Sequence, residues 1–181
     1  MLIEVCVDSI AGLEAAVAGG ADRIELCAAL EVGGLTPSVG LMRVAAGCGV
    51  PVYAMIRPRA GDFVFSAAEV AVMLADIDAA LQAGLAGVVL GASLPDGRLD
   101  QAVLQRLVGR AQGMGLTLHR AFDLVPDLRA AVEVAVGLGF ERILTAGQAV
   151  SAVAGVDVLA QVFALAAGRI SVMPGAGIAA E

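Results

Sequence analysis

The sequence predicts an α/β fold, a TIM-type (β/α)8 barrel that stops after its seventh strand. Three observations carry that expectation. Short runs rich in Val, Ile and Leu alternate with Ala-rich stretches, with Gly, Pro or Asp at the junctions, and strict βα alternation makes a parallel sheet. Polar side chains, with Met55 beside them, recur on one face of several runs: Arg23, Glu25, Tyr53, Arg57, Thr117 and His119. An open sheet covered by helices on both sides tolerates such a face poorly, whereas a closed lumen can match acids with bases. Finally, the chain has 181 residues, against the roughly 250 usual for eight βα units. It runs out at Gly175-Ala176-Gly177-Ile178-Ala179-Ala180-Glu181, so the barrel is expected to lack an eighth strand and to leave two unpaired edges open to association. With no break in composition, one domain over residues 1–181 is expected.

The elements follow in order. Strands are expected near Leu2 to Val7, Arg23 to Cys27, Val52 to Arg57, Gly87 to Leu90, Leu116 to Arg120, Arg142 to Thr145 and Ile170 to Met173. Helices fill the intervals near Ile10 to Ala18, Pro37 to Cys48, Ala67 to Ala83, Asp100 to Met114, Asp127 to Gly137 and Ala149 to Ala167. Two starts are legible: Thr36-Pro37 reads as an N-cap with Pro at the first helical position, and Ser66 with Glu69 reads as a capping box.

Composition narrows the function. Hydrophobic residues make up 59% against 16% charged, which excludes disorder and raises a membrane span. The longest uncharged stretch, Ala79 to Pro95, is broken by Gln82, Gly84, Gly87, Gly91, Ser93 and Pro95 and reads as a buried strand, so no membrane association is expected. No basic segment precedes a cleavable apolar run, and three cysteines without framework spacing fit a reducing compartment. A cytoplasmic location follows. A net charge of -7, with only 11 Lys and Arg and few aromatics, argues against nucleic acid.

The chemistry concentrates in two matching tetrapeptides, Ile3-Glu4-Val5-Cys6 and Ile24-Glu25-Leu26-Cys27. Strand side chains alternate, so Glu4 shares a face with Cys6 and Glu25 with Cys27. If the strands are parallel neighbours, ~4.8 Å apart, the carboxylates converge and the sulfurs can converge too. Further carboxyl-end candidates follow the third and fifth strands. Arg57 and Arg59, with Asp62, suit a carboxylate or phosphate, although an internal salt-bridge network fits them equally. His119, the sole histidine, precedes Arg120 and Asp123; it reads as a general acid or base or as a hydrogen-bonded core residue. Glu4 and Glu25 serve catalysis in one reading and neutralise Arg23 and Arg57 in the other. Gly147, Gly175 and Gly177 lie where backbone amides cradle anions. Cys6 and Cys27, with Met55, have the softness for two- or three-coordinate Cu(I), yet buried packing also explains such thiols. No organic cofactor is inferred.

Arg23-Ile24-Glu25-Leu26-Cys27-Ala28-Ala29 running on to Gly33-Gly34-Leu35-Thr36-Pro37-Ser38, then Ile56-Arg57-Pro58-Arg59 with Gly61-Asp62-Phe63, His119-Arg120-Ala121-Phe122-Asp123, Leu144-Thr145-Ala146-Gly147-Gln148 and Gly175-Ala176-Gly177 resemble, as an ordered set, the CutC family of copper homeostasis proteins. The resemblance implies a TIM barrel, a cytoplasmic protein, self-association as a homo-oligomer, and a role in copper tolerance or trafficking. It nominates Cys6 and Cys27 as Cu(I) ligands. It also implies a charged mouth of Glu4, Glu25, Arg57, Asp62, His119, Arg120 and Asp123, which looks like an enzyme site of unassigned reaction; Arg57 and Arg59 themselves suggest a small anionic metabolite as the substrate.

Overall fold

The computed structural model describes residues 2–178, in which seven strands alternate with six α-helices. Two compact units interleave along the chain. One takes the residues up to Asp62, Ser66–Leu90 and Gly109–Gly115; the other takes Phe63–Phe65, Gly91–Val108 and the chain from Leu116 onward.

The first unit contains β1 (Glu4–Val7), α1 (Ile10–Ala18), β2 (Arg23–Leu26), α2 (Val39–Ala45), β3 (Val52–Met55), α3 (Ala67–Ala83) and β4 (Gly87–Leu90). Its strands pair side by side in chain order, all parallel. The second unit holds most of α4 (Gln101–Arg110) and of β5 (Gly115–Leu118), then α5 (Leu128–Gly137), β6 (Arg142–Thr145), α6 (Val156–Ala166) and β7 (Ser171–Pro174). There β5, β6 and β7 are again parallel neighbours. Parallel neighbours need a crossover between them, and the helices supply it.

Local chemistry explains the elements. Val70, Met73, Ile77 and Ala80 form one buried stripe of α3, the spacing of an amphipathic helix. Its start is the expected capping box: Glu69 donates its N–H to the Ser66 hydroxyl (3.3 Å) and accepts the Ser66 N–H (2.7 Å). Gly84, left-handed at φ 78°, ends it. In β2 the outward set Ile24 and Leu26 is fully buried, and both faces of β3 and β4 are buried.

Two expected helix starts are corrected. α2 begins at Val39 with Ser38 as its cap, whose hydroxyl accepts the Leu41 N–H (3.2 Å). Thr36 is engaged elsewhere: its hydroxyl accepts the Arg57 N–H (2.9 Å) and its own N–H donates to the Arg57 carbonyl (3.0 Å). α6 begins at Val156 rather than Ala149. Gln148 is left-handed, the Ala152 N–H donates to the Ala176 carbonyl (3.0 Å), and a Cβ on Gly155 would stand 1.9 Å from the Ala146 carbonyl oxygen. These ties hold the segment in turns.

In the first unit one aromatic ring sets the floor of the inward face. A Cβ on Gly87 would lie 2.1 Å from Tyr53 Cε1, and one on Gly115 2.0 Å from Tyr53 Oη, so glycine at both positions makes room for the ring. The Arg23 guanidinium stacks over it at 5.3 Å. No helix among the described residues is long and apolar enough to cross a membrane.

Candidate functional site

In the first unit the two tetrapeptides do lie on neighbouring parallel strands, with an offset of two residues. Glu4 stands opposite Arg23, and Cys6 opposite Glu25. Arg23 Nε donates to the Glu4 carboxylate in a largely buried ion pair. Glu25, 3% exposed, becomes the centre of the face. The Cys27 thiol donates to Glu25 Oε1 (3.6 Å), Cys6 stands opposite on β1, and Oε2 has no partner among the described residues. Burial, reinforced by the Glu4 charge, pushes the Glu25 carboxyl up to about 7, against the pull of the two thiols and Arg23.

The thiols respond in turn. Burial and then the Glu25 charge push Cys27 well above the ordinary thiol range. Burial, then the Glu25 and Glu4 charges, raise Cys6 in the same direction. Both are free thiols, protonated at neutral pH. Cys27 is buried with Tyr53, Met55 and Val89. The loop after β2 closes over it: Ala28 and Leu35 form an antiparallel bridge, the Leu30 N–H donates to the Asp8 carboxylate (3.2 Å), and a Cβ on Gly34 would stand 3.0 Å from Cys27 Sγ.

Arg57 is buried and held by three backbone carbonyls, those of Val32 (3.1 Å), Gly34 (3.2 Å) and Gly61 (2.8 Å). Arg59 pairs with Asp62 (2.9 Å) on its own loop and with Glu69 in the first turn of α3, the internal network that its sequence equally allowed. The structure therefore brings together Glu4, Cys6, Glu25 and Cys27, with Arg57 joined to them through the Gly33-Gly34 loop.

In the second unit His119 is 2% exposed. Its Nδ1 accepts the Ala121 N–H (3.1 Å), which leaves the neutral ring protonated on Nε2, and the ring lies against Phe63 at 4.6 Å. A Cβ on Gly91 would be 2.5 Å from that ring. Asp123 accepts from Arg120 Nε (2.7 Å), the Thr145 hydroxyl, and the N–H groups of Ala146 (3.1 Å) and Gln148 (3.2 Å). Arg120 also reaches the Ala149 carbonyl (3.1 Å). Gly147 donates its N–H to the Thr145 hydroxyl (2.9 Å), and Gly175 to the Thr145 carbonyl (3.0 Å). Gly177, left-handed at φ 69°, packs on Ser151. Asp123 and the amides of Gly147 and Gly175 thus tie loops together.

Sequence reasoning missed Gly34, whose signal is the Gly33-Gly34 pair just past Cys27, and Ser93, buried at 3% with no partner for its hydroxyl among the described residues. Nothing in the pattern around Ser93 marks it.

Comparison with known proteins places this arrangement. The family model described as the CutC family matches residues 1–181. The chain belongs to the CutC family. The CutC family protein of Rhizobium meliloti (strain 1021) is 68% identical over 99% of this chain and 73% of its own length, and that of Caulobacter vibrioides (strain NA1000 / CB15N) is 57% identical over 98% and 73%. The CutC structure from Streptococcus agalactiae, assigned provisionally to copper homeostasis, superposes with a TM-score of 0.93 at 32% identity, covering 98% of this chain and 89% of that one. The deoxyribose phosphate aldolase of Aeropyrum pernix matches with a TM-score of 0.69 at 15% identity, over 98% and 76%. That likeness shows the fold alone, an α/β fold of the TIM-barrel type.

The CutC lining has the donors for a soft monovalent ion. One sulfur bonds the Glu25 carboxyl and the other belongs to the residue opposite it, and the backbone at Gly34 comes close enough to Cys27 that a Cβ would fill the space. Among the described residues no group of three or more His, Cys, Asp or Glu side chains is placed to hold a metal, and two sulfurs fall short of the three or four ligands that zinc takes.

Proposed function

We propose that this CutC chain serves copper homeostasis by binding Cu(I) through the Cys6 and Cys27 sulfurs. The supporting observation is that the one buried carboxyl of Glu25 accepts the Cys27 thiol and stands opposite Cys6 on the neighbouring strand, which sets soft donors from adjacent strands around it. Copper supplies no redox step in this reading; it is cargo, exchanged for two thiol protons. Free thiols of this kind belong in a reducing compartment, the cytoplasm, and the CutC relationship supports a self-associating chain. Cu(I) titration of wild type and of a Cys6→Ser, Cys27→Ser double variant tests the reading. Equal affinities would end it.

A second reading is an enzyme acting on a small phosphate or carboxylate metabolite. It is favoured by Glu25, a buried carboxyl near its midpoint at neutral pH with one unengaged oxygen, together with the buried Arg57 guanidinium. In that reading Glu25 exchanges a proton with the substrate and Arg57 holds the anion. Thermal-shift screening with phosphorylated and carboxylate metabolites, repeated with Arg57→Ala, tests it: a shift that survives the substitution removes Arg57 from the site.

A further inference from the structure

We propose that the Met55 thioether is the third sulfur of the soft-metal site, so that Cu(I) is held by Cys6, Cys27 and Met55; this rests on the reading of the two thiols as ligands. The β2–β3 register pairs Glu25 with Tyr53 and Leu26 with Ala54, and one step further along the same row sets Cys27 beside Met55. Both are buried, at 0% and 3%, in one cluster with Tyr53 and Val89. The loop backbone meets them at one point: a Cβ on Gly34 would stand 3.0 Å from Cys27 Sγ and 3.6 Å from Met55 Cε. Gly34 has φ 83°, so a side chain there is disfavoured by conformation as well as by contact. The Cys27 sulfur and the terminal methyl of Met55 therefore both lie under a stretch of main chain that carries no side chain of its own. Beside Cys27 lies Glu25, whose Oε1 accepts the thiol and whose buried Oε2 has no partner among the described residues.

The chemistry favours a thioether as the third donor. Cu(I) accepts thiolate and thioether sulfur in two- or three-coordinate sites. Two thiolates and Cu(I) already carry one net negative charge next to Glu4 and Glu25. A third anionic ligand would add repulsion in a buried place, whereas Met55 adds a bond with no charge and no proton to lose.

The full chain, loaded with Cu(I) alone under anaerobic conditions, provides the test. X-ray absorption should count three sulfurs around copper in wild type and two in Met55→Leu, a volume-conserving change. Competition against a Cu(I) chelator should show affinity falling about tenfold or more in Met55→Leu, with Gly34→Ala, which crowds the same point, also weakened. Two sulfurs in wild type, or a Met55→Leu variant with unchanged sulfur count and affinity, would overturn the assignment of Met55 while leaving the thiol pair in place. Cu(I) binding that is absent in wild type, or that survives loss of both thiols, would instead overturn the reading on which it rests, and this assignment with it.

Discussion

Glu25 links the protonation of the inward face to the stability of the first unit. Its carboxyl moves from the ordinary 4.5 to about 7 on folding, so between those values the folded chain keeps a proton that the unfolded chain has released. The stability contributed by the protonated acid is full below about pH 4.5 and is lost as the pH rises through about 7. The shift corresponds to ~3 kcal/mol. Glu25→Gln, which resembles the protonated acid, should therefore gain on wild type as the pH rises, by nothing below pH 4 and by about 3 kcal/mol above pH 7. Urea midpoints across that range measure the gain, and a pH-independent difference would show that burial does not hold the proton. The same variant removes the charge that raises both thiols, so iodoacetamide should modify Cys6 and Cys27 faster than in wild type at a fixed alkaline pH; equal rates would mean that burial alone protects them. At this scale much is legible in the sequence. A side-chain period of two is enough to put Glu4 with Cys6 and Glu25 with Cys27. It does not reveal that Glu4 faces Arg23, because the offset of two parallel strands is set by the helix and turns between them.

Turns and loops hold the working ends of the elements. In the second unit, Asp123 joins the segment after β5 to the turn after β6 through Arg120, Thr145, Ala146 and Gln148. Asp123→Ala leaves those N–H groups without their acceptor and should destabilise the chain by about 2–4 kcal/mol, read from denaturant unfolding. A loss under about 0.5 kcal/mol would show that water replaces the carboxylate. The motif His119-Arg120-Ala121-Phe122-Asp123 stands out in the sequence as chemistry, yet the hydrogen bonds of Asp123 become visible only when the loop after β6 is placed beside it. In the same way Thr36-Pro37 satisfies the rules for a helix start, but a tertiary bond to Arg57 takes the threonine and Ser38 caps instead. The capping box at Ser66 and Glu69 is legible because all its partners lie within three residues.

At the scale of the molecule, the seven strands and six helices of the described residues follow from the βα alternation, since each buried strand reads as a short apolar run and each helix as a longer Ala-rich one. Their grouping into two compact units is invisible in composition, which is uniform from end to end. The excess of apolar residues is not all buried. On α6, Val156, Ala160 and Phe163 are exposed at helical spacing, Phe163 at 72%. A patch of that kind promotes association, so Phe163→Ser should raise the concentration at which the chain stays monodisperse in light scattering. An unchanged or lower threshold would place the sticky surface elsewhere.

Gly33 and Gly34 are both left-handed, at φ 90° and 83°, and a Cβ on Gly33 would come 3.2 Å from Arg57 Nη1, while one on Gly34 would press on Cys27. A single peptide therefore separates a buried cation from a buried thiol. In a saturation library the two positions should be depleted for unrelated reasons, the first through disturbance of a guanidinium and the second through crowding of sulfur. Suppressors selected against one defect would accordingly fail to repair the other.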